Sequence, residues 1–203
     1  DFFRRVFNYF LIMSKLYAIK KSFFSVDLYE EIKKQFSQVK KKDYKNIKQS
    51  FQWLNDEIIK EKNVIKFSEE FTGLSFSKIS ENTRAYLAVK HGLKDDDTQI
   101  HFDNNVYVNI VVPIIMKDLN QSGLIIFPPL SSFFLRAIAR YKLTTLIIRK
   151  FKLLRRILRC KYFEYKPNCG YIFVGRKLAH GVLYNPKTSS SIRAVVTINF
   201  KYF

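Results

Sequence analysis

Pro167-Asn168-Cys169-Gly170-Tyr171-Ile172-Phe173-Val174 is a turn followed by a short apolar run, and His180-Gly181-Val182 comes six residues later. The run 170–174 is too short for a typical helix and is aromatic or β-branched, so it reads as a buried strand. Runs of the same character recur at 106–115, 123–127 and 193–200. Asn120-Gln121-Ser122-Gly123 and Asn185-Pro186-Lys187-Thr188-Ser189 read as turns between them. Several short strands at close spacing predict a small β-barrel or sandwich.

Before residue 70 the pattern is helical. Leu28, Ile32, Phe36 and Val39 recur at three- and four-residue steps, with Asp27 and Glu30 as an approximate capping signal. A second helix is expected over 46–61, with Ile47, Phe51, Leu54 and Ile58 on one face. The Lys-rich connection between them reads as solvated. The expected architecture is therefore mainly β with N-terminal helices (α+β). It is a single domain of 203 residues, with 1–70 a helical buttress and 71–203 the β core.

Composition narrows the class. Hydrophobic residues make up 47%, while 6 Gly and 5 Pro exclude collagen-like and Pro-rich low-complexity chains. No apolar run reaches the ~18 residues of a spanning helix. Residues 2–13 run from basic to apolar as a signal peptide would, but no small-residue cleavage site follows, and Lys15, Lys20 and Lys21 come close behind. Cys160 and Cys169 are too few for a disulfide framework or a four-Cys zinc site, and read as reduced thiols of a cytoplasmic protein.

Only three histidines are present: His91, His101 and His180. In His101-Phe102-Asp103 an imidazole and a carboxylate stand two apart, on one face of extended backbone, so both reach one cation. His180 follows 77 residues after Asp103. Two imidazoles and one carboxylate, with open positions left on the metal, form the facial triad of non-haem Fe(II) oxygenases. Arg193 comes thirteen residues beyond His180, at the start of a strand-like run. A guanidinium inside a barrel needs an anion, and a carboxylate matches its fork best. His91 pairs with nothing at ligand spacing and reads as structural.

With these residues in this order, the chain resembles the Fe(II)/2-oxoglutarate-dependent oxygenases, whose fold is a double-stranded β-helix (jelly roll, cupin-like). The resemblance covers about residues 84–200 and includes Gly123-Leu124-Ile125-Ile126-Phe127-Pro128. It is nearest to the prolyl-4-hydroxylase-like branch. It implies that His101, Asp103 and His180 bind Fe(II) and that Arg193 binds the distal carboxylate of 2-oxoglutarate. O2 is then the oxidant and ascorbate an auxiliary reductant. A Tyr or Asn usually completes the keto-acid pocket, and Asn109, Tyr107 and Tyr86 are the candidates, with Asn109 preferred. Val195 stands where some branches carry Ser. Asp103 occupies the position that halogenating members leave as Gly, which favours hydroxylation. The resemblance implies a hydroxylase acting on a small-molecule, sugar or lipid-linked substrate. The alternatives are a prolyl-type protein hydroxylase and an inactive membrane- or nucleic-acid-binding module on the same fold.

The net charge is +19, and Arg136 to Lys161 supplies ten basic residues with no acidic one. Leu143, Leu146, Ile147, Phe151, Leu154, Ile157 and Leu158 form an apolar stripe at helical spacing within it. Three readings stand for this basic helical insert at 136–161. It packs on the barrel with a solvated charged face, it lies peripherally on an anionic membrane, or it walls the site and recruits an anionic substrate. Nucleic acid is disfavoured, because the aromatics sit in apolar runs and not on a basic surface stripe.

Overall fold

The computed structural model describes residues 16–38, 48–50, 52–73, 75, 83–92, 100–103, 106–138, 147, 148 and 150–201. In chain order the elements are β1 (Tyr17–Lys20), α1 (Val26–Gln38), β2 (Lys48–Ser50), α2 (Gln52–Lys60), α3 (Lys62–Thr72), β3 (Thr83–His91) and β4 (Val106–Lys117). There follow β5 (Leu119–Ile126), α4 (Pro129–Ile138), α5 (Lys152–Ile157), β6 (Lys161–Glu164), β7 (Gly170–Phe173), β8 (His180–Pro186) and β9 (Ile192–Lys201). A six-stranded sheet runs β1-β7-β4-β9-β3-β2, and a three-stranded sheet runs β6-β5-β8. All the strand pairs are antiparallel.

Period-2 alternation decides what each sheet offers the other. In the large sheet Ile110 lies opposite both Ile172 and Ile198, and Val112 opposite Val196. These residues point one way with Ala85 and Leu87, towards the side where α1 lies on β4 and α2 on β3. Tyr29 of α1 donates its hydroxyl to the carbonyl of Ile114 at 2.9 Å. The alternate set, Phe173, Asn109 and Asn199, shares the other face with Thr197, Val195 and Arg193. In the small sheet His180 lies opposite Ile126 and Val182 opposite Leu124, so these share one face. Ile125 and Leu183 point to the opposite side, into a second core cluster with Phe127, Leu135 and Ile148. His180, Asn109 and Arg193 thus lie on inner faces of the two sheets, and each sheet is backed by apolar residues.

Several expectations need correction. The expected helix over 46–61 is split: 48–50 is strand β2, paired with β3, and helix α2 begins only at Gln52. Pairing covers an edge that β3 would otherwise leave open, and that outweighs helical periodicity in so short a stretch. The N-terminal segment also supplies β1, so 1–70 is not purely helical. Ile47, Phe51 and the 39–43 connection lie outside the described residues. The 120–123 turn is absent, because those residues belong to β5. The chain reverses at Asp118, in the left-handed region at φ 51°. Gly123 serves close strand approach instead, since a Cβ there would stand 2.4 Å from the carbonyl oxygen of Phe163.

The turn before β7 is as the sequence reads it. Asn168 sits at φ 53°, and its side chain accepts from the Phe24 N–H at 2.9 Å and donates to the Phe24 carbonyl at 3.1 Å. Gly170 then leaves room for the buried ring of Phe23.

The basic segment is not one helix. Phe151 adopts an extended conformation, α5 has six residues and none of them buried, and Leu143 and Leu146 lie outside the described residues. Of the stripe, Leu154 and Leu158 are half-buried and Ile147, Phe151 and Ile157 are exposed, while Ile148, which is not part of it, is buried. The chain is drawn into the second core cluster at Ile148 and again at Leu158, and it breaks between them. Cys160 and Cys169 are both free, and no helix of the described residues is long and apolar enough to cross a membrane.

Candidate functional site

His180 opens β8, and Ile100-His101 comes in beside it. The His101 N–H donates to the His180 carbonyl at 2.9 Å and the His180 N–H to the His101 carbonyl at 3.0 Å. This two-bond bridge sets the imidazoles side by side, ring centroids 4.5 Å apart. Asp103 is fixed by its own N–H, which donates to the Gly175 carbonyl at 3.2 Å. One ligating atom from each of His101, Asp103 and His180 lies within 4.8 Å of the others. His180 Nε2 is 3.0 Å from Asp103 Oδ2, and His101 Nε2 is 3.6 Å from Oδ1.

The donor set suits a divalent metal. His180 Nδ1 is 3.0 Å from the Leu178 carbonyl, which only accepts, so Nδ1 carries a proton. Nε2 then faces the carboxylate, and a cation seated between them would take the Nε2 lone pair in place of the proton that otherwise bridges to Asp103. The amide of Asn109 donates to Asp103 Oδ2. Burial acts to raise the Asp103 carboxyl, but the His180 hydrogen bond, the two imidazoles and the Asn109 amide outweigh it and hold it below the usual value. His180 is buried among Phe173 and the β8 backbone, whereas the His101 side chain is 52% exposed and marks the open side of the cluster.

Across the same space lies Arg193, 5% exposed, with Nε and Nη1 lacking any hydrogen-bond partner. Burial lowers its pKa, with Tyr165 and Tyr184 opposing. Its guanidinium carbon stands 5.8 Å from the ring centroid of Tyr165. The Tyr165 hydroxyl is also buried without a partner, and burial pushes its pKa up to about 12, Arg193 pulling the other way. A buried cation without a counter-ion is costly, and a hydroxyl beside it with its proton uncommitted is a second donor to the same missing anion. The residues present therefore fit a bound carboxylate.

The structure brings His101, Asp103 and His180 together and puts Asn109 against Asp103. Arg193 lies on the same sheet face as Asn109. Tyr86 shares that face but stands opposite Thr197, four residues along β9 from Arg193. Tyr107 falls where the β4–β9 register slips, between Val106 and Val108, and its side chain lies outside the described residues. His91 ends β3 opposite Ile192. The sequence reading passed over Tyr165 and Gly175. Tyr165 carries no motif, and only the fold carries it to Arg193. Gly175 lies one residue past the apolar run, and a Cβ there would stand 2.8 Å from Asp103 Oδ2 and 2.9 Å from Asn109 Nδ2.

Two antiparallel sheets, with a His-x-Asp and a distal His brought together on them, define the class of fold, a double-stranded β-helix. No protein-family model matches the chain, and no curated protein matches it in sequence. Solved structures match along nearly its whole length. HygX from Streptomyces hygroscopicus, with iron bound, aligns with a TM-score of 0.63 over 95% of this chain and 84% of its own, at 8% identity. A prolyl-4-hydroxylase from Pseudomonas putida aligns with a TM-score of 0.58 over 93% and 89%, at 11% identity. The 2-oxoglutarate-dependent epimerase SnoN from nogalamycin biosynthesis gives 0.58 over 92% and 79%, at 8% identity. At such identities the likeness is one of fold.

Proposed function

We propose that the chain is an Fe(II)- and 2-oxoglutarate-dependent dioxygenase that hydroxylates an unactivated C–H bond of a small-molecule, sugar or lipid-linked substrate. The observation that carries this reading is the buried guanidinium of Arg193, with Nε and Nη1 unpartnered, in a fold whose sheets also bring together His101, Asp103 and His180. HygX has been solved with hygromycin B bound, which supports the small-molecule side of the reading.

In this reading His101, Asp103 and His180 hold the metal, and Arg193 with the Tyr165 hydroxyl takes the distal carboxylate of the keto acid. When bound, iron and 2-oxoglutarate supply the oxidising chemistry: one oxygen atom of O2 goes to succinate as CO2 leaves, and the other to the new hydroxyl. The chain positions and shields. Asn109 steadies Asp103 through Oδ2, and the Leu178 carbonyl fixes the His180 ring. Phe173 and Val182 keep the inner end apolar, which limits water there. Substrate reaches the site past His101, the exposed ligand.

Anaerobic titration with Fe(II) and 2-oxoglutarate tests this. A weak visible charge-transfer band is expected, absent in His180→Ala and weakened in Arg193→Ala, with succinate formed on admission of O2. Folded protein that gives neither band nor succinate refutes the proposal. Faster turnover with a prolyl peptide than with any small molecule would move the substrate class to protein.

A further inference from the structure

The segment from Arg136 to Lys161 carries ten basic residues and no acidic one, and its end is tied to the start of α4. The Ser131 hydroxyl at the start of α4 donates to the Leu158 carbonyl just past α5, at 2.7 Å. Leu135, Ile148 and Leu158 face inward and fill the second core cluster behind β5 and β8. What remains outside is apolar. Leu130, Phe133 and Phe134 stand on one side of α4 at three- and four-residue spacing, and Phe151, Leu153 and Ile157 stand on the α5 segment, all exposed. Phe133 is 73% and Leu153 67% exposed, values that packing on the barrel would not leave. Helix α4 buries Leu135 with Ser131 and Ser132, yet shows Leu130 and two phenylalanines to solvent, which an ordinary surface helix would not. Lys150, Lys152, Arg156 and Arg159, all exposed, lie among the exposed apolar residues. Phe133, Phe134 and Phe151 thus stand exposed near basic side chains.

We infer that this face docks on an anionic lipid bilayer. The aromatic and aliphatic side chains enter the boundary between headgroups and acyl chains, and the Lys and Arg residues meet the phosphates. Charge selects this occupant. A second copy of the chain would bring two faces of the same sign together with no acidic residue to offset them. Nucleic acid would satisfy the charge but not Leu130, Leu153 and Ile157, which offer bases no stacking surface. The face reaches the edge of the histidine cluster. Arg136, in the last turn of α4, stacks at 4.7 Å over Phe102, the residue between His101 and Asp103, and donates to the Arg176 carbonyl at 2.7 Å. The inference rests on the surface alone and stands whether or not the site is an oxygenase.

The test is co-sedimentation of the full chain with phosphatidylcholine vesicles, with and without phosphatidylglycerol, at low and high salt. Two variants are compared, Phe133→Ser/Phe134→Ser/Leu153→Ser and Lys152→Glu/Arg156→Glu, each checked by circular dichroism. All five positions are exposed, so both variants should fold. Binding is expected only to the anionic vesicles, weaker at high salt. Each Lys or Arg near an anionic surface is worth about fivefold, so the charge variant should lose more than about tenfold in affinity. A comparable loss is expected in the serine variant. The inference is overturned if folded wild type does not bind anionic vesicles or if the serine variant binds as well as wild type. It is also overturned by tighter binding to random DNA or RNA at the same salt, or by a dimer that the serine substitutions dissolve.

Discussion

Around Asp103, the geometry of a candidate metal site is decided by Gly175, a residue that offers no ligand. Its carboxylate is placed by an N–H bond to the Gly175 carbonyl and by the Asn109 amide, and both neighbours close in where Gly175 has no side chain. A methyl group at 175 must displace either Asp103 or Asn109, since both atoms lie under 3 Å from where it would sit. Gly175→Ala is therefore expected to weaken Fe(II) or Mn(II) binding by roughly 10–100-fold, the usual cost of disturbing a supporting shell, with the fold retained. Metal titration followed by circular dichroism checks this, and unchanged affinity would show that Asp103 is held without Gly175. His101-Phe102-Asp103, His180 and Arg193 were legible because their spacing is a pattern in the chain. Tyr165 and Gly175 were not, because their roles exist only through contacts with Arg193, Asp103 and Asn109, which lie far from them along the chain.

At the scale of elements, α4 is the tie between the outer shell and the strand that opens with His180. Ser132, buried within it, donates its hydroxyl to the Phe127 carbonyl at 2.9 Å and accepts from the Ala179 N–H at 2.9 Å, one residue before His180. Ser132→Ala leaves a buried N–H and a buried carbonyl each short of a partner. The cost should be about 1–3 kcal/mol, read from urea or thermal unfolding. A neutral result would mean that a water takes over the role. Strand periods were readable at 106–115, 170–174 and 193–200, where alternation or full burial is uniform. They failed at 48–50, where three residues are strand only because β3 has an edge to cover. They failed also at 120–123, where a glycine needed for close strand approach looks like a turn glycine.

Across the whole molecule, the candidate ligands bind together segments far apart in the chain: the approach to β4 supplies two and β8 the third. A metal seated there stabilises the native state without stabilising the unfolded chain. At a hundredfold excess over its dissociation constant the gain is about 2.7 kcal/mol. For a domain of this size that is a rise of roughly 5–10 °C in melting temperature under anaerobic Fe(II) or Mn(II). Differential scanning fluorimetry should show the rise in wild type and its loss in His180→Ala, and an equal rise in both would place the metal elsewhere. The sequence by itself determined the β-rich class, the order of the candidate ligands and the excess of positive charge, because composition and spacing along the chain carry them. Only the tertiary structure decided that the N-terminal segment lends two strands to the large sheet and that Arg193 is buried beside Tyr165. It alone decided which apolar side chains of the basic segment face outward and which enter the second core cluster. Edge pairing, burial of a charge and the outward side of a helix are all set by what packs against a residue, and a linear pattern does not contain its neighbours.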